Sequence, residues 1–153
     1  MAMTMQGEVT LPAERARVWA ALNDPEVLKA CIPGCQELEK TSDTGFRATA
    51  KLAVGPVKAT FKGNVTLSEI DPPNGYTIKG EGQGGVAGFA KGGAKVRLDD
   101  ADGGTRLVYD VEAQVGGKIA QLGGRLINGV AKKYADEFFA NFAKQVSPAA
   151  GST

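Results

Sequence analysis

The feature that most constrains this chain is an alternation with a period of two, recurring in run after run between Met5 and Val115. Successive side chains on a strand point to opposite faces of a sheet, so each run divides into an apolar set and a wet one. Met5, Val9 and Leu11 oppose Gln6, Glu8 and Thr10. Phe46, Ala48, Ala50, Leu52 and Val54 oppose Arg47, Thr49 and Lys51. Val57, Ala59, Phe61, Gly63, Val65 and Leu67 oppose Lys58, Thr60, Lys62 and Asn64. Tyr76, Ile78, Gly80 and Gly82 continue the pattern, then Ala94, Val96 and Leu98, then Leu107, Tyr109, Val111, Ala113 and Val115. One apolar face and one solvated face are the habit of an antiparallel sheet. The connections agree. Asp43-Thr44-Gly45, Gly55-Pro56, Pro72-Pro73-Asn74-Gly75 and Asp102-Gly103-Gly104 have hairpin lengths and residue types, too short to hold a crossover helix.

Helical patterns bracket the strands. Residues 12–22 read as a helix, with Pro12 at a tolerated early position and Val18, Trp19 and Leu22 apolar. Asp24-Pro25 opens a second short helix that ends before Pro33-Gly34. A closing helix is predicted over 118–146, between Gly116-Gly117 and Ser147-Pro148. Its apolar positions Ile119, Leu122, Leu126, Val130, Tyr134, Phe138 and Phe142 recur mostly every fourth residue, so the stripe drifts by roughly 40° per step. A drifting stripe suits a helix laid across a twisted sheet. The expected class is α+β: a curved antiparallel sheet of about seven strands, two short helices after strand 1, and a long C-terminal helix across the sheet. Residues 1–146 are expected to form one domain, and 147–153 a short flexible tail.

The inward face of that sheet is thinly furnished. Glycine makes up 21 of 153 residues, about twice its usual share of roughly 7%, and Ala48, Ala50, Ala59, Gly63, Gly80, Gly82, Ala94 and Ala113 all fall on the inward set. Small side chains under a helix either draw it close or leave a hollow; a hollow is the expectation here. Its predicted lining is Phe46, Ala48, Ala50 and Phe61 from the early strands, and Tyr76, Ile78, Tyr109, Val111 and Ala113 from the later ones. Phe89 joins from the Gly-rich loop, and Leu122, Leu126, Val130 and Tyr134 from the helix. Such a lining is apolar, with the hydroxyls of Tyr76, Tyr109 and Tyr134 as its polar contacts.

What the chain lacks narrows its chemistry. With no histidine it has neither the usual general base nor the commonest metal ligand. A formal net charge of +1 disfavours binding driven by nucleic-acid phosphates. Residues 1–15 lack the pattern of a secretory signal, and no apolar run reaches the roughly 18–20 residues of a membrane span, so a soluble intracellular protein is expected. Cys31-Ile32-Pro33-Gly34-Cys35 offers two thiols, too few for a tetrahedral zinc site, at a spacing one residue longer than a redox C-x-x-C. Two reduced, at least partly buried cysteines at a helix end are expected, with a regulatory disulfide as the alternative. Gly80-Glu81-Gly82-Gln83-Gly84-Gly85 satisfies G-x-G-x-x-G, yet that fingerprint needs a helix to receive the pyrophosphate, and the following stretch alternates as a strand. Strand bending and close approach are the expected use of these glycines.

Two stretches then carry a resemblance. Leu22-Asn23-Asp24-Pro25-Glu26-Val27-Leu28-Lys29-Ala30-Cys31-Ile32-Pro33-Gly34-Cys35, with Gly82-Gln83-Gly84-Gly85-Val86-Ala87-Gly88-Phe89-Ala90-Lys91-Gly92 and Val96-Arg97-Leu98, resembles the carbon monoxide dehydrogenase G-subunit (CoxG) family, over about Met5 to Val146. The resemblance implies a START-like helix-grip fold. It also implies a non-catalytic accessory protein of a molybdenum hydroxylase of the carbon monoxide dehydrogenase type, at the cytoplasmic membrane face, with a lipoquinone or lipid as its bound hydrophobic ligand and no metal of its own. Many members carry an Ala/Pro-rich tail leading to a hydrophobic anchor, whereas here Ser147 to Thr153 follow Val146. The family also occurs beside hydroxylases with other substrates. The competing reading is a START-like enzyme, a cyclase or dehydratase acting on an aromatic or polyketide-like substrate; such enzymes place charged or histidine side chains inside the cavity. A third is a protein adaptor with a collapsed core, which leaves the small inward residues unexplained.

Peripheral membrane contact has its own sequence signal. Lys118, Arg125 and Lys132 recur every seven residues along the predicted closing helix, with Lys133 beside the last. The stripe is expected to meet anionic headgroups while the loop around Val86-Ala87-Gly88-Phe89 forms the cavity mouth. Asp136 and Glu137 interrupt it, which favours the alternative of a plain solvated face.

Overall fold

The computed structural model describes residues 1–147. The expected tail therefore lies, apart from Ser147, outside the described residues. Seven strands, β1 (Ala2–Leu11), β2 (Cys35–Lys40), β3 (Gly45–Val54), β4 (Val57–Asp71), β5 (Gly75–Gln83), β6 (Phe89–Ala101) and β7 (Gly104–Gly116), form one antiparallel sheet. Its order is β1-β7-β6-β5-β4-β3-β2, a meander closed by the first strand pairing with the last. Helices α1 (Arg15–Leu22) and α2 (Pro25–Cys31) join the two edge strands, and α3 (Gly124–Val146) lies across the sheet. Every hairpin expected from the turn residues is present, and the alternation predicts the faces. Ala48↔Gly63, Gly80↔Gly92 and Ala94↔Val111 are cross-strand partners on the inward side.

Local chemistry accounts for the helix boundaries. Asp24 caps α2 by accepting the Glu26 N–H at 3.0 Å, and Pro25 supplies the first helical φ. Pro12 stands before α1, whose cap is Glu14, so the first helix begins later than residue 12. The closing helix is also shorter than expected. Residues 118–122 form a 3₁₀ turn (Lys118–Leu122), and Gly123, at φ +92°, breaks the path before α3 begins. Side chains other than glycine rarely adopt that φ, so a Gly123-Gly124 pair inside a helical pattern is a chain reversal waiting to be used. Leu122 and Lys118 consequently lie outside α3, and the seven-residue basic stripe survives only as Arg125 and Lys132.

Candidate functional site

Two dry clusters bracket the space between α3 and the sheet. At the α1/α2 end Leu11, Val18, Leu22, Phe46, Leu67, Tyr76, Leu98, Leu107, Phe142 and Val146 are buried together. At the opposite end Ala87, Val115, Ile119 and Ile127 make a smaller cluster, with Val54, Val57, Ala59 and Phe61 against it. Between them Ala48, Ala50, Ile78, Val111, Ala113 and Val130 remain only half-buried. The register explains this. Ala48, Gly63, Gly82 and Ala90 are successive neighbours across β3 to β6, and Gly80, Gly92 and Ala113 form the next row across β5 to β7. No side chain on this floor exceeds a methyl group. A Cβ built on Gly82 would find one heavy atom within 4 Å, the Lys62 carbonyl oxygen at 3.8 Å, so nothing from α3 descends onto it.

The helix is propped on its rims. Its main backbone approaches are to α2 and β1, with lesser ones to α1 and β3. The Tyr134 hydroxyl donates to the Ala53 carbonyl at 2.7 Å and accepts the Ala53 N–H at 2.9 Å. Lys51 is the last β3 residue whose N–H meets the chain beside it, through Gly34, so Tyr134 serves the edge of β3 in place of a strand. Tyr109 lies over Gly7 and stacks on Phe139, with ring centroids 5.3 Å apart. At the far end Arg17 donates to the Val146 carbonyl at 2.8 Å and Asn141 to the Cys31 carbonyl at 3.1 Å. Props of fixed length hold the helix where the small floor cannot draw it down.

The other residues expected in the lining are placed differently. Phe46 and Tyr76 belong to the buried cluster at the α1/α2 end, and Phe61 lies across Gly84. Phe89 begins β6 with the outward parity of Lys91 and Lys95, covers Gly116 and is 42% exposed, so it is not part of the inward face. Leu126 sits on Gly55 at the rim. Burial pushes the Tyr76 phenol up to about 12 and raises both cysteine thiols; for Cys35 the Lys29 charge and a Glu37 backbone hydrogen bond oppose the rise. Cys31 is buried, Cys35 is half-buried, and both are free. The G-x-G-x-x-G stretch runs out along β5 into a 3₁₀ turn (Gly85–Ala87), with no α-helix to receive a phosphate.

A surface depression of about 900 Å³ is on the opposite face of the sheet. It is a shallow trough lined by Thr77, Lys79, Glu81, Lys91, Lys95, Asp110 and Glu112. Charges of both signs spread over an open surface do not suit an apolar ligand, and the trough lies across the sheet from the glycine floor.

The two ends of the sheet differ in charge, which the near-zero net value conceals. Residues 54–61, 82–90 and 114–127 contain Lys58, Lys118 and Arg125 and no acid. The opposite turns, 12–14, 41–44, 69–74 and 99–103, contain Glu14, Asp43, Glu69, Asp71, Asp99, Asp100 and Asp102 and no cation. At the basic end Val86 is 94% exposed. The segments there touch: a Cβ on Gly88 would collide with the Gly116 carbonyl, and Leu126 covers the β3–β4 turn at Gly55. No helix among the described residues is long and apolar enough to cross a membrane.

Comparison with known proteins follows the same lines. The model of the CoxG family, the G-subunit of carbon monoxide dehydrogenase, matches residues 7–147. A conserved protein from Geobacillus kaustophilus is similar in structure, with a TM-score of 0.87 and 29% identity over 94% of this chain and 95% of that one. The Zhui aromatase/cyclase from a Streptomyces species superposes with a TM-score of 0.71 at 12% identity, covering 95% and 94%. Ara h 8.0201 does so at 0.66 and 20%, covering 95% and 98%. These last two share the helix-grip fold, which also supports catalysis in the aromatase/cyclase. No curated protein matches the sequence.

Proposed function

Because the chain belongs to the carbon monoxide dehydrogenase G-subunit (CoxG) family, we propose that it is a non-catalytic accessory protein. It takes up a hydrophobic ligand, a lipoquinone or lipid, between the sheet and α3, and links a molybdenum hydroxylase of the carbon monoxide dehydrogenase type to the membrane. The open space above Gly82 carries this reading: an apolar floor left uncovered is surface that a buried ligand tail stabilises, by about 0.8 kcal/mol for each methylene. An enzyme of this fold would need an acid or base on the inner face. Among the described residues the one fully buried polar side chain is Thr105, whose hydroxyl donates to the Ala13 carbonyl at 2.8 Å.

Membrane contact is assigned to the basic end. Val86 and Leu126 present apolar surface there, and Lys58, Lys118 and Arg125 lie at the same end, each contributing about 1 kcal/mol near an anionic bilayer. Organic extraction of purified protein, followed by mass spectrometry, should yield a stoichiometric apolar molecule, and Gly82→Phe should lose it while remaining folded. A folded wild type that yields nothing and takes up no added quinone or lipid overturns the reading. Liposome co-sedimentation should rise with anionic lipid, fall with salt and weaken in Lys118→Gln/Arg125→Gln; salt-independent sedimentation of both proteins would remove the membrane part alone.

A further inference from the structure

Three tyrosine hydroxyls are the polar groups that the sequence offers to the hollow, and the tertiary structure places each of them differently. Tyr134 is spent on Ala53. The Tyr109 hydroxyl lies over Gly7, on the edge strand β1. Tyr76 is different. It stands on the inner face of β5 opposite Val96, nine-tenths buried, with its ring tilted against Trp19 at a centroid distance of 5.2 Å. No hydrogen bond or charge contributes to the rise of its phenol pKa, which is due to burial alone. No buried side-chain oxygen or nitrogen among the described residues lacks a partner. The Tyr76 oxygen, which no side-chain hydrogen bond among the described residues engages, therefore keeps a trace of accessible surface at the margin of the α1/α2-end cluster.

We propose that Tyr76 holds the head group of the ligand, which lies head-inward. An uncharged head bearing a carbonyl acceptor takes the Tyr76 O–H beside Trp19, and the apolar tail runs over the glycine floor towards Ile119 and Ile127. This rests on the reading of the hollow as a ligand site and adds its orientation and head-group chemistry. The inward neighbours of Tyr76 are Leu67, Ile78 and Val96, with no lysine or arginine among them. A carboxylate or phosphate carried to this depth would be an unpaired buried charge, which is far costlier than a neutral carbonyl with one donor. Fatty acids and phospholipids are thereby excluded in the head-inward pose, whereas quinones, ketones and esters are accepted.

The test uses the one tryptophan of the chain, which stands beside the proposed head position. The probes are a benzoquinone carrying a ten-carbon tail and decylbenzene, which has the same tail and no carbonyl. The quinone should quench Trp19 fluorescence saturably. Tyr76→Phe, which keeps the ring, should weaken quinone binding about three- to tenfold, the usual worth of one neutral hydrogen bond, and leave decylbenzene binding unchanged. Quinone binding, measured by equilibrium dialysis, without Trp19 quenching would overturn the orientation, as would equal quinone affinity in both proteins. Wild type that binds neither probe would overturn the hollow as a site and this inference with it. The quench is read on the unaltered chain, so the outcome does not depend on how the variant folds.

Discussion

The two ends of the sheet are built from the same alternating pattern and do opposite work. At the α1/α2 end large side chains meet, with Phe142 at 0% exposure and Leu11, Leu98 and Leu107 at or near it, and two helices close over them. At the other end the dry cluster is small, and the chain there is short turns and 3₁₀ segments. Glycine explains the contrast. Gly88 and Gly117 bring two turns together at backbone contact, leaving little side chain to pack. One end therefore stabilises the fold, and the other is cheap to open. The basic turns fall on the sparsely packed end, and the acidic turns on the densely packed one.

The largest test of this contrast is a pair of truncations. Phe142→Ala removes a fully buried ring that stacks on Phe138, and should cost about 3–5 kcal/mol in denaturant unfolding. Ile119→Ala, at the other end, should cost under about 2 kcal/mol, because its turn can settle locally. Equal losses would mean that both ends belong to one cooperative core, and the contrast would fall.

Next in size is the pH dependence contributed by Tyr76. Above pH 10 the phenol of the unfolded chain ionises, while the buried one stays protonated up to about 12. The unfolded chain then binds fewer protons, so this contribution is whole below pH 10 and is lost as pH rises through 12. Its limit is roughly 3 kcal/mol. Tyr76→Phe should flatten that part of the stability curve; an unchanged slope would show the phenol to be as hydrated as in the open chain.

Tyr134→Phe should cost about 1–2 kcal/mol, since it strips the Ala53 N–H and carbonyl of their partner. Hydrogen exchange at Ala53 should speed up, and unaltered protection would remove Tyr134 from the props of α3. The smallest effect has the opposite sign. Gly82→Ala should stabilise by about 0.5–1 kcal/mol, because its Cβ enters open space and the unfolded chain loses freedom. Gly63→Ala, in the same row, should destabilise, as its Cβ would stand 2.6 Å from the Glu81 carbonyl oxygen. A loss at both sites would close the hollow.

Much of this molecule is legible along the chain. The sequence by itself determined which residues of each long strand face inward, where the hairpins turn, and that the floor is small, because the two-residue period is a property of one strand's backbone and needs no partner. It left β2 unread, since Cys35 and Leu38 are the only apolar residues of that strand. The closing helix looked continuous because its apolar spacing runs on through Gly123, whose φ of +92° only the tertiary path selects. Phe89 is expected to line the hollow from the Gly-rich loop, but β6 already begins at Phe89, and the parity of Ala94, Val96 and Leu98 then turns it outward. The tertiary structure alone decided the rest: that α3 is propped clear of the floor, and that of three equivalent-looking tyrosines one caps an edge, one lies across Gly7 and one is buried beside Trp19. Those outcomes depend on distances between residues up to 129 positions apart. Such distances come from packing, which local periodicity does not encode.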